Sequence, residues 1–240
     1  MRLQVRPLPL TDESSVAMKN RVSHVARLWA AWLPVAGVSA FIALYLYAAS
    51  MYPGGTQAHH ELHGYSHLSN YWCDLLHRVS YSGEINRGRS FAVLATIILP
   101  LSLIPLWLQV SVLFRDGSGL RRLVRVTGPA SMVLSTLVFT SVHDFAINVA
   151  SILGFVAVMT TMLSLSGRKR RAVLNGVALL SMILGVTNYL MWQTGKFLWV
   201  MPLVQKAAFA SFFVWIVATA MAIRRVLTTY TVLDANHLPK

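Results

Sequence analysis

The chain has 240 residues, a mean hydropathy of +0.56, and 55% hydrophobic against 12% charged residues; a soluble domain would carry roughly 25% charged residues. Lysine and arginine outnumber aspartate and glutamate by 21 to 8, for a net charge of +13, but they flank apolar runs, so they read as membrane-orientation signals and not as a nucleic-acid surface. The single cysteine, Cys73, rules out an intrachain disulfide and a thiolate metal cluster.

Residues 1–27 hold Pro7, Pro9 and Asp12-Glu13 and are expected to form a cytoplasmic tail. The first apolar run, 28–51, is too long for a signal-peptide core of roughly 7–15 residues and is expected to be an uncleaved anchor. Tyr45, Tyr47 and Tyr52 at its far end suit an interfacial aromatic belt. A polar segment, 52–89, follows. The second run, 90–113, contains Pro100 and Pro105 and is expected to bend. Runs three and four, 126–145 and 147–166, are joined by almost nothing, and His143-Asp144 marks their turn. The fifth run, 172–192, is joined through Gly195-Lys196 to the sixth, 201–223, and 224–240 closes the chain as a cytoplasmic tail. Each run is near the roughly 20 residues that an apolar helix needs to cross about 30 Å of hydrocarbon. The expected fold is therefore all-α, a polytopic bundle of six transmembrane helices over 28–223.

Basic residues concentrate in both tails and in the connectors after runs two and four, where Arg115, Arg121, Arg122 and Arg125 and the run Arg168-Lys169-Arg170-Arg171 lie. The other side holds only Arg78, Arg87, Arg89, Lys196 and Lys206. The positive-inside rule then puts both termini in the cytoplasm of a plasma (inner) membrane and turns 52–89 outward. Ala146, Ala150 and Gly154 recur every four residues and form a small-residue stripe for close helix packing. Ser131, Ser135, Thr136 and Thr140 give the third run a hydroxyl face, expected to serve packing first.

Segment 52–89 holds five of the eight histidines (His59, His60, His63, His67 and His77) together with Glu61, Asp74 and Glu84. Leu68, Tyr71, Trp72, Leu75 and Leu76 fall at spacings of three and four, which predicts an amphipathic helix in the outer interface anchored by Tyr71 and Trp72. On it Asn70, Asp74 and His77 share one face. The plain reading makes Asp74 and His77 capping groups of a surface helix and the remaining histidines solvated. The sharper reading brings this helix over the turn at His143-Asp144. Asp74, His143 and Asp144 are then candidate catalytic groups, and Asn70, Trp72 and His77 candidate ligand contacts. His77, Asp74 and His143 make a candidate metal set with zinc as the metal, since imidazole and carboxylate suit that ion and a bound water would become a nucleophile near neutral pH. A metal-free His/Asp acid–base pair uses the same residues. There is no HExxH, CxxC or GxSxG.

Tyr-Pro-Gly-Gly at the end of the first run, the stretch Asn70-Tyr71-Trp72-Cys73-Asp74-Leu75 and His143-Asp144 resemble prokaryotic six-span membrane proteins grouped as a domain of unknown function. The resemblance covers roughly 28–223 and implies a six-helix bundle whose polar motifs fall on Asn70, Asp74, His143 and Asp144. More distantly, the chain is similar to the alkaline ceramidase and adiponectin receptor type of membrane hydrolase, but it has six runs and lacks His-x-x-x-His in the last. Three functions follow as expectations: handling of a lipid or amphiphile, including metal-dependent hydrolysis; a non-enzymatic assembly partner or pH-responsive sensor; and a small-molecule transporter. Membrane lipids are the expected partners. Transport finds the least support, because no half-to-half repeat and no mid-span acid or base stands out.

Overall fold

A computed structural model describes residues 23–114, 118–165 and 169–236. Most of the tail expected over 1–27, the end of the tail expected over 224–240, and Arg115 and Arg168 of the basic connectors lie outside the described residues. The described chain is all-helical: α1 (Leu33–Ser50), α2 (Arg89–Gln109), α3 (Ser118–Ser135), α4 (His143–Leu165), α5 (Lys169–Thr194) and α6 (Met201–Asn236), with short 3-10 turns at Trp72–Leu76 and Val110–Leu113. Five helical stretches are long and apolar enough to cross a membrane: Ser23–Ser50, Arg89–Leu113, His143–Leu165, Arg171–Thr194 and Met201–Thr229. The sixth helix, α3, is not among them, since Arg121, Arg122 and Arg125 occupy its first turns.

Neighbouring helices pack antiparallel, and named contacts fix the order. A Cβ on Gly37 of α1 would meet Ser102 of α2, and one on Gly88, just before α2, would meet Ala48 at the end of α1. Trp107 of α2 lies against Gly128 of α3. The Ser131 hydroxyl of α3 donates to the Ala150 carbonyl of α4 at 2.7 Å, and Gly154 sits one turn farther along the same contact. The expected small-residue stripe is thus a helix–helix seam, with Ala146 and Ala150 buried in it. The other hydroxyls of that face, on Ser135, Thr136 and Thr140, bond their own backbone. Helix α5 packs chiefly on α6, and α6 returns to α1 through Phe209 and Phe213, both against Phe41, and to α2 through Trp215 against Trp107. This up-and-down order gathers 51–88, 136–142 and 195–200 at one end of the bundle.

Several boundaries differ from expectation. Helix α3 ends at Ser135, well before the expected 145, and 136–142 is a string of turns. Thr136 and Thr140 bond carbonyls three residues back, so their side chains compete with helix continuation there. His143 therefore opens α4 instead of closing the third helix, and Asp144 stands in the first turn of α4, where a carboxylate suits the helix dipole. Pro100 and Pro105 lie inside α2, as expected. Helix α6 continues to Asn236, past the expected end at 223. Of the three belt tyrosines only Tyr47 is exposed; Tyr45 and Tyr52 are in the core.

The segment 51–88 is a folded cap. The expected amphipathic helix over 64–77 is reduced to the five-residue turn Trp72–Leu76. Its lead-in is held by local side-chain bonds instead: Asn70 Oδ1 accepts the Ser66 N–H, and the Ser66 hydroxyl accepts the Ser69 N–H. Upstream, Gly54 pairs with His63 in a narrow antiparallel bridge. Gly54 and Gly55 take φ of +149° and +82°, and a Cβ on Gly54 would lie 2.2 Å from the Leu62 carbonyl oxygen, so only glycine fits. A second bridge, Val79 with Ile85, turns through Gly83.

Candidate functional site

Three buried polar side chains assemble the cap. Asn70, fully buried, donates from Nδ2 to the Gly55 carbonyl (2.8 Å) and to Asp74 Oδ2 (2.9 Å). Asp74, 2% exposed, also accepts the Tyr71 N–H at 2.9 Å through the same oxygen. Asn86 donates to the Leu75 and His77 carbonyls and accepts the Gly88 N–H, which ties the turn to the start of α2. Arg89 Nε donates to the Leu76 carbonyl at 2.9 Å. Buried amides and carboxylates cost free energy unless their bonds are made, and here they bond to the backbone of four separate loop strands.

The first turns of α6 and the loop before it complete the site. Lys206 Nζ donates to the Asn70 carbonyl at 2.5 Å and to the Pro202 carbonyl at 3.4 Å, and it sits 5.8 Å from the Tyr65 ring centroid. Gln205 accepts the Trp72 N–H at 3.0 Å, and its Nε2 points at Cys73 Sγ, 3.8 Å away. The Tyr71 hydroxyl donates to the Leu198 carbonyl at 3.1 Å, and the Tyr65 hydroxyl to the Tyr71 carbonyl at 3.1 Å. Sequence reasoning missed Gln205, Lys206, Asn86 and Tyr65. A signal was present for the first two, because a Gln-Lys pair inside the first turns of an apolar helix demands partners.

Electrostatically the region takes one negative charge and resists a second. Burial lifts the Asp74 carboxyl above its ordinary value, against the opposing pull of Asn70, the Tyr71 N–H, His77 and Lys206. Burial first and the Asp74 charge second raise the Tyr65 and Tyr71 phenols, and they push Tyr81 to about 12. The Cys73 thiol is raised for the same two reasons, with Gln205 pulling the other way. Alkylation of Cys73 at neutral pH is therefore expected to run more than about tenfold slower than in the denatured chain, because the thiolate is the reactive form; timed labelling with iodoacetamide and mass spectrometry checks it.

The sequence-predicted residues divide. Asn70 and Asp74 meet directly. His77 is exposed beside them, its ring 6.2 Å from Tyr81. Trp72 does not anchor the cap to lipid: its ring enters the bundle between Phe41, Tyr45, Phe209 and Phe213. His143 and Asp144 lie at the same end of the bundle but keep other partners. His143 Nδ1 pairs with the Val138 carbonyl, and Asp144 is exposed, its backbone carbonyl accepting Asn148 Nδ2. Asp74 is acted on by Asn70, Tyr71, His77 and Lys206, not by His143 or Asp144. Among the described residues, no three His, Cys, Asp or Glu side chains are grouped so as to hold a metal ion, so the set His77, Asp74 and His143 expected for zinc does not gather. Of the cap histidines, His59 pairs with Glu61 at 3.3 Å and His60 with the Tyr81 carbonyl at 2.9 Å. Comparisons of the chain with protein-family models, with curated proteins and with solved structures return no match.

Proposed function

We propose that the chain is a multi-pass protein of the plasma (inner) membrane, with six crossing helices and both termini cytoplasmic. Its outward cap is a non-enzymatic assembly surface for another membrane or extracytoplasmic protein. Five helices of sufficient length and apolar character support the membrane placement, and the arginines at the end of the bundle opposite the cap support the orientation. The observation that carries the assembly role is the contrast within the cap. Its ionisable interior is committed: Asp74 Oδ2 is taken by two donors, and Lys206 by two carbonyls. Its outside meanwhile exposes Leu68 (67%), Val79 (52%) and Ile85 (76%). Exposed apolar side chains on a folded, hydrogen-bonded cap are available for contact with another protein.

A photo-crosslinking residue at Ile85 or Leu68, introduced in the full chain in its own membrane, tests the reading. One discrete adduct is expected from these two positions, absent with the crosslinker at Arg225 on the opposite end. Ile85→Lys, in a second chain with the crosslinker at Leu68, is expected to abolish that adduct while the cap stays protease-resistant. Adducts equal at all three positions would overturn the proposal. So would release of fatty acid from phospholipid or ceramide vesicles by the purified protein, if Asp74→Asn abolished it. Orientation is read separately: Ser82→Cys in a Cys73→Ser chain is expected to react with a membrane-impermeant maleimide from outside the cell only.

A further inference from the structure

At the end of α6 away from the cap, the geometry points to a binding site for the phosphate of one anionic phospholipid. Arg224 lies about 34 Å along the helix from Met201, at roughly 1.5 Å per residue. That length slightly exceeds the hydrocarbon thickness of about 30 Å. With Met201 at one membrane surface, Arg224 and Arg225 emerge at the other, at headgroup depth. There a groove is lined by Met221, Arg224, Arg225, Thr228 and Thr229.

Arg224 is held as a receptor is held. Its guanidinium lies over the Trp32 ring, 4.2 Å from the centroid, a cation–π contact that fixes its plane. Its Nε is buried and has no hydrogen-bond partner among the described residues. A buried, charged donor left empty is costly, which a bound acceptor would relieve. Three other described arginines of this end are engaged: Arg121 Nη2 donates to the Phe114 carbonyl, Arg125 Nε to the Ser111 hydroxyl, and Arg171 Nη1 to the Leu113 carbonyl. The Thr228 and Thr229 hydroxyls donate to the Arg224 and Arg225 carbonyls, so the arginines are the donors that face the groove. Among the described residues the only ion pair, His59 with Glu61, is at the far end of the molecule.

Arg224 and Arg225 both line the groove, and no described carboxylate lines it with them; guanidinium groups match phosphate oxygens in charge and in bidentate geometry. The depth selects the source: the groove opens at the interface, with Met221 on its membrane side to take the glycerol and first acyl carbons. A zwitterionic lipid adds an ammonium that two arginines repel. Basic pockets of this kind on the cytoplasmic side of membrane helices hold anionic headgroups. The site is independent of any docking on the cap, and its failure leaves that reading untouched.

Full-length protein in nanodiscs of phosphatidylglycerol and phosphatidylcholine, equal in amount, is transferred to mild detergent and weighed by native mass spectrometry. One retained phosphatidylglycerol per chain is expected in preference to phosphatidylcholine. Arg224→Gln and Arg225→Gln are each expected to lower that retention about fivefold, whereas Arg121→Gln, on the same face, leaves it unchanged. Arg224→Lys keeps the charge without the fork and should retain an intermediate amount, which covers the case in which Arg224→Gln misfolds. Equal retention of both lipids, or equal loss with Arg121→Gln, would overturn the site. Displacement of the adduct by millimolar inorganic phosphate would assign the groove to free phosphate and overturn the lipid assignment.

Discussion

Asp74→Ala is expected to unlock the cap while leaving the helices inserted. The substitution removes the acceptor shared by Asn70 Nδ2 and the Tyr71 N–H, both at 2.9 Å, in a site where Asp74 is 2% exposed. Each buried donor left without a partner costs about 1–3 kcal/mol. The loss spreads along the chain of bonds, because Asn70 also binds the Ser66 N–H and the Gly55 carbonyl, and Lys206 docks on the Asn70 carbonyl. Hydrogen exchange over 66–76 should speed up, and outside protease should cut there. Asp74→Asn keeps one carbonyl oxygen and the side-chain volume and is expected to preserve protection. The pH dependence separates the two substitutions further. Burial raises the Asp74 carboxyl above 3.8, so the folded cap binds this proton more tightly than the unfolded chain does. The stability contributed by that proton is full below about 3.8, the ordinary value, and is lost as pH rises through the raised one. Protection of the Tyr71 amide should therefore grow on acidification in the native chain and stay flat in Asp74→Asn. An Asp74→Ala chain with native protection would show that the cap does not depend on this carboxylate.

The helices were legible because hydrocarbon imposes length and apolarity together, and a run such as 90–113 has no other stable use. Where polarity and shape compete, reading was poorer. Thr136, Thr140 and Ser141 are mild enough to sit in a hydropathy window, yet Thr136 and Thr140 bond local carbonyls and end α3 early. The cap misled for a different reason. Leu68, Tyr71, Trp72, Leu75 and Leu76 are spaced like a helical stripe, but they serve three directions: Leu68 faces out, Leu75 and Leu76 fill the core, and Trp72 enters the bundle. Gly64, at a φ of +70°, and the run Ser66, Ser69, Asn70 were the contrary signals, since each favours turns over helix. The pairing of Asn70 with Asp74 was visible as an i, i+4 spacing and survives although the helix does not: Asn70 lies in the lead-in and Asp74 inside the 3-10 turn. The partners supplied by α6, Gln205 and Lys206, are more than a hundred residues away in the chain; their polarity in an apolar helix says that each needs a partner, but no local pattern says which.

Trp72→Ala is expected to be the most destabilising single change, because that side chain joins the cap to two helices at once. Its ring centroid lies 5.3 Å from Phe41 and from Tyr45 of α1, and 4.8 Å and 6.1 Å from Phe209 and Phe213 of α6. Helices α1 and α6 otherwise meet over a modest seam, so the indole is the wedge between them. Truncating a fully buried Trp costs about 3–5 kcal/mol in a protein core, and Trp72 is half-buried. Within a membrane, lipid can offset the exposed apolar surface but cannot restore the aromatic packing lost from the wedge, which places the change toward the lower figure. Thermal unfolding in nanodiscs, followed by the near-ultraviolet signal of the aromatic cluster, measures it. Trp72→Phe should recover about half of the loss, since a smaller ring still reaches Phe41 and Phe209. The Trp72 N–H, bound to Gln205 Oε1 at 3.0 Å, survives both substitutions. A full loss in Trp72→Ala with that backbone bond intact therefore assigns the joint to packing, and a midpoint that does not move would assign it to the hydrogen bonds of Gln205 and Lys206.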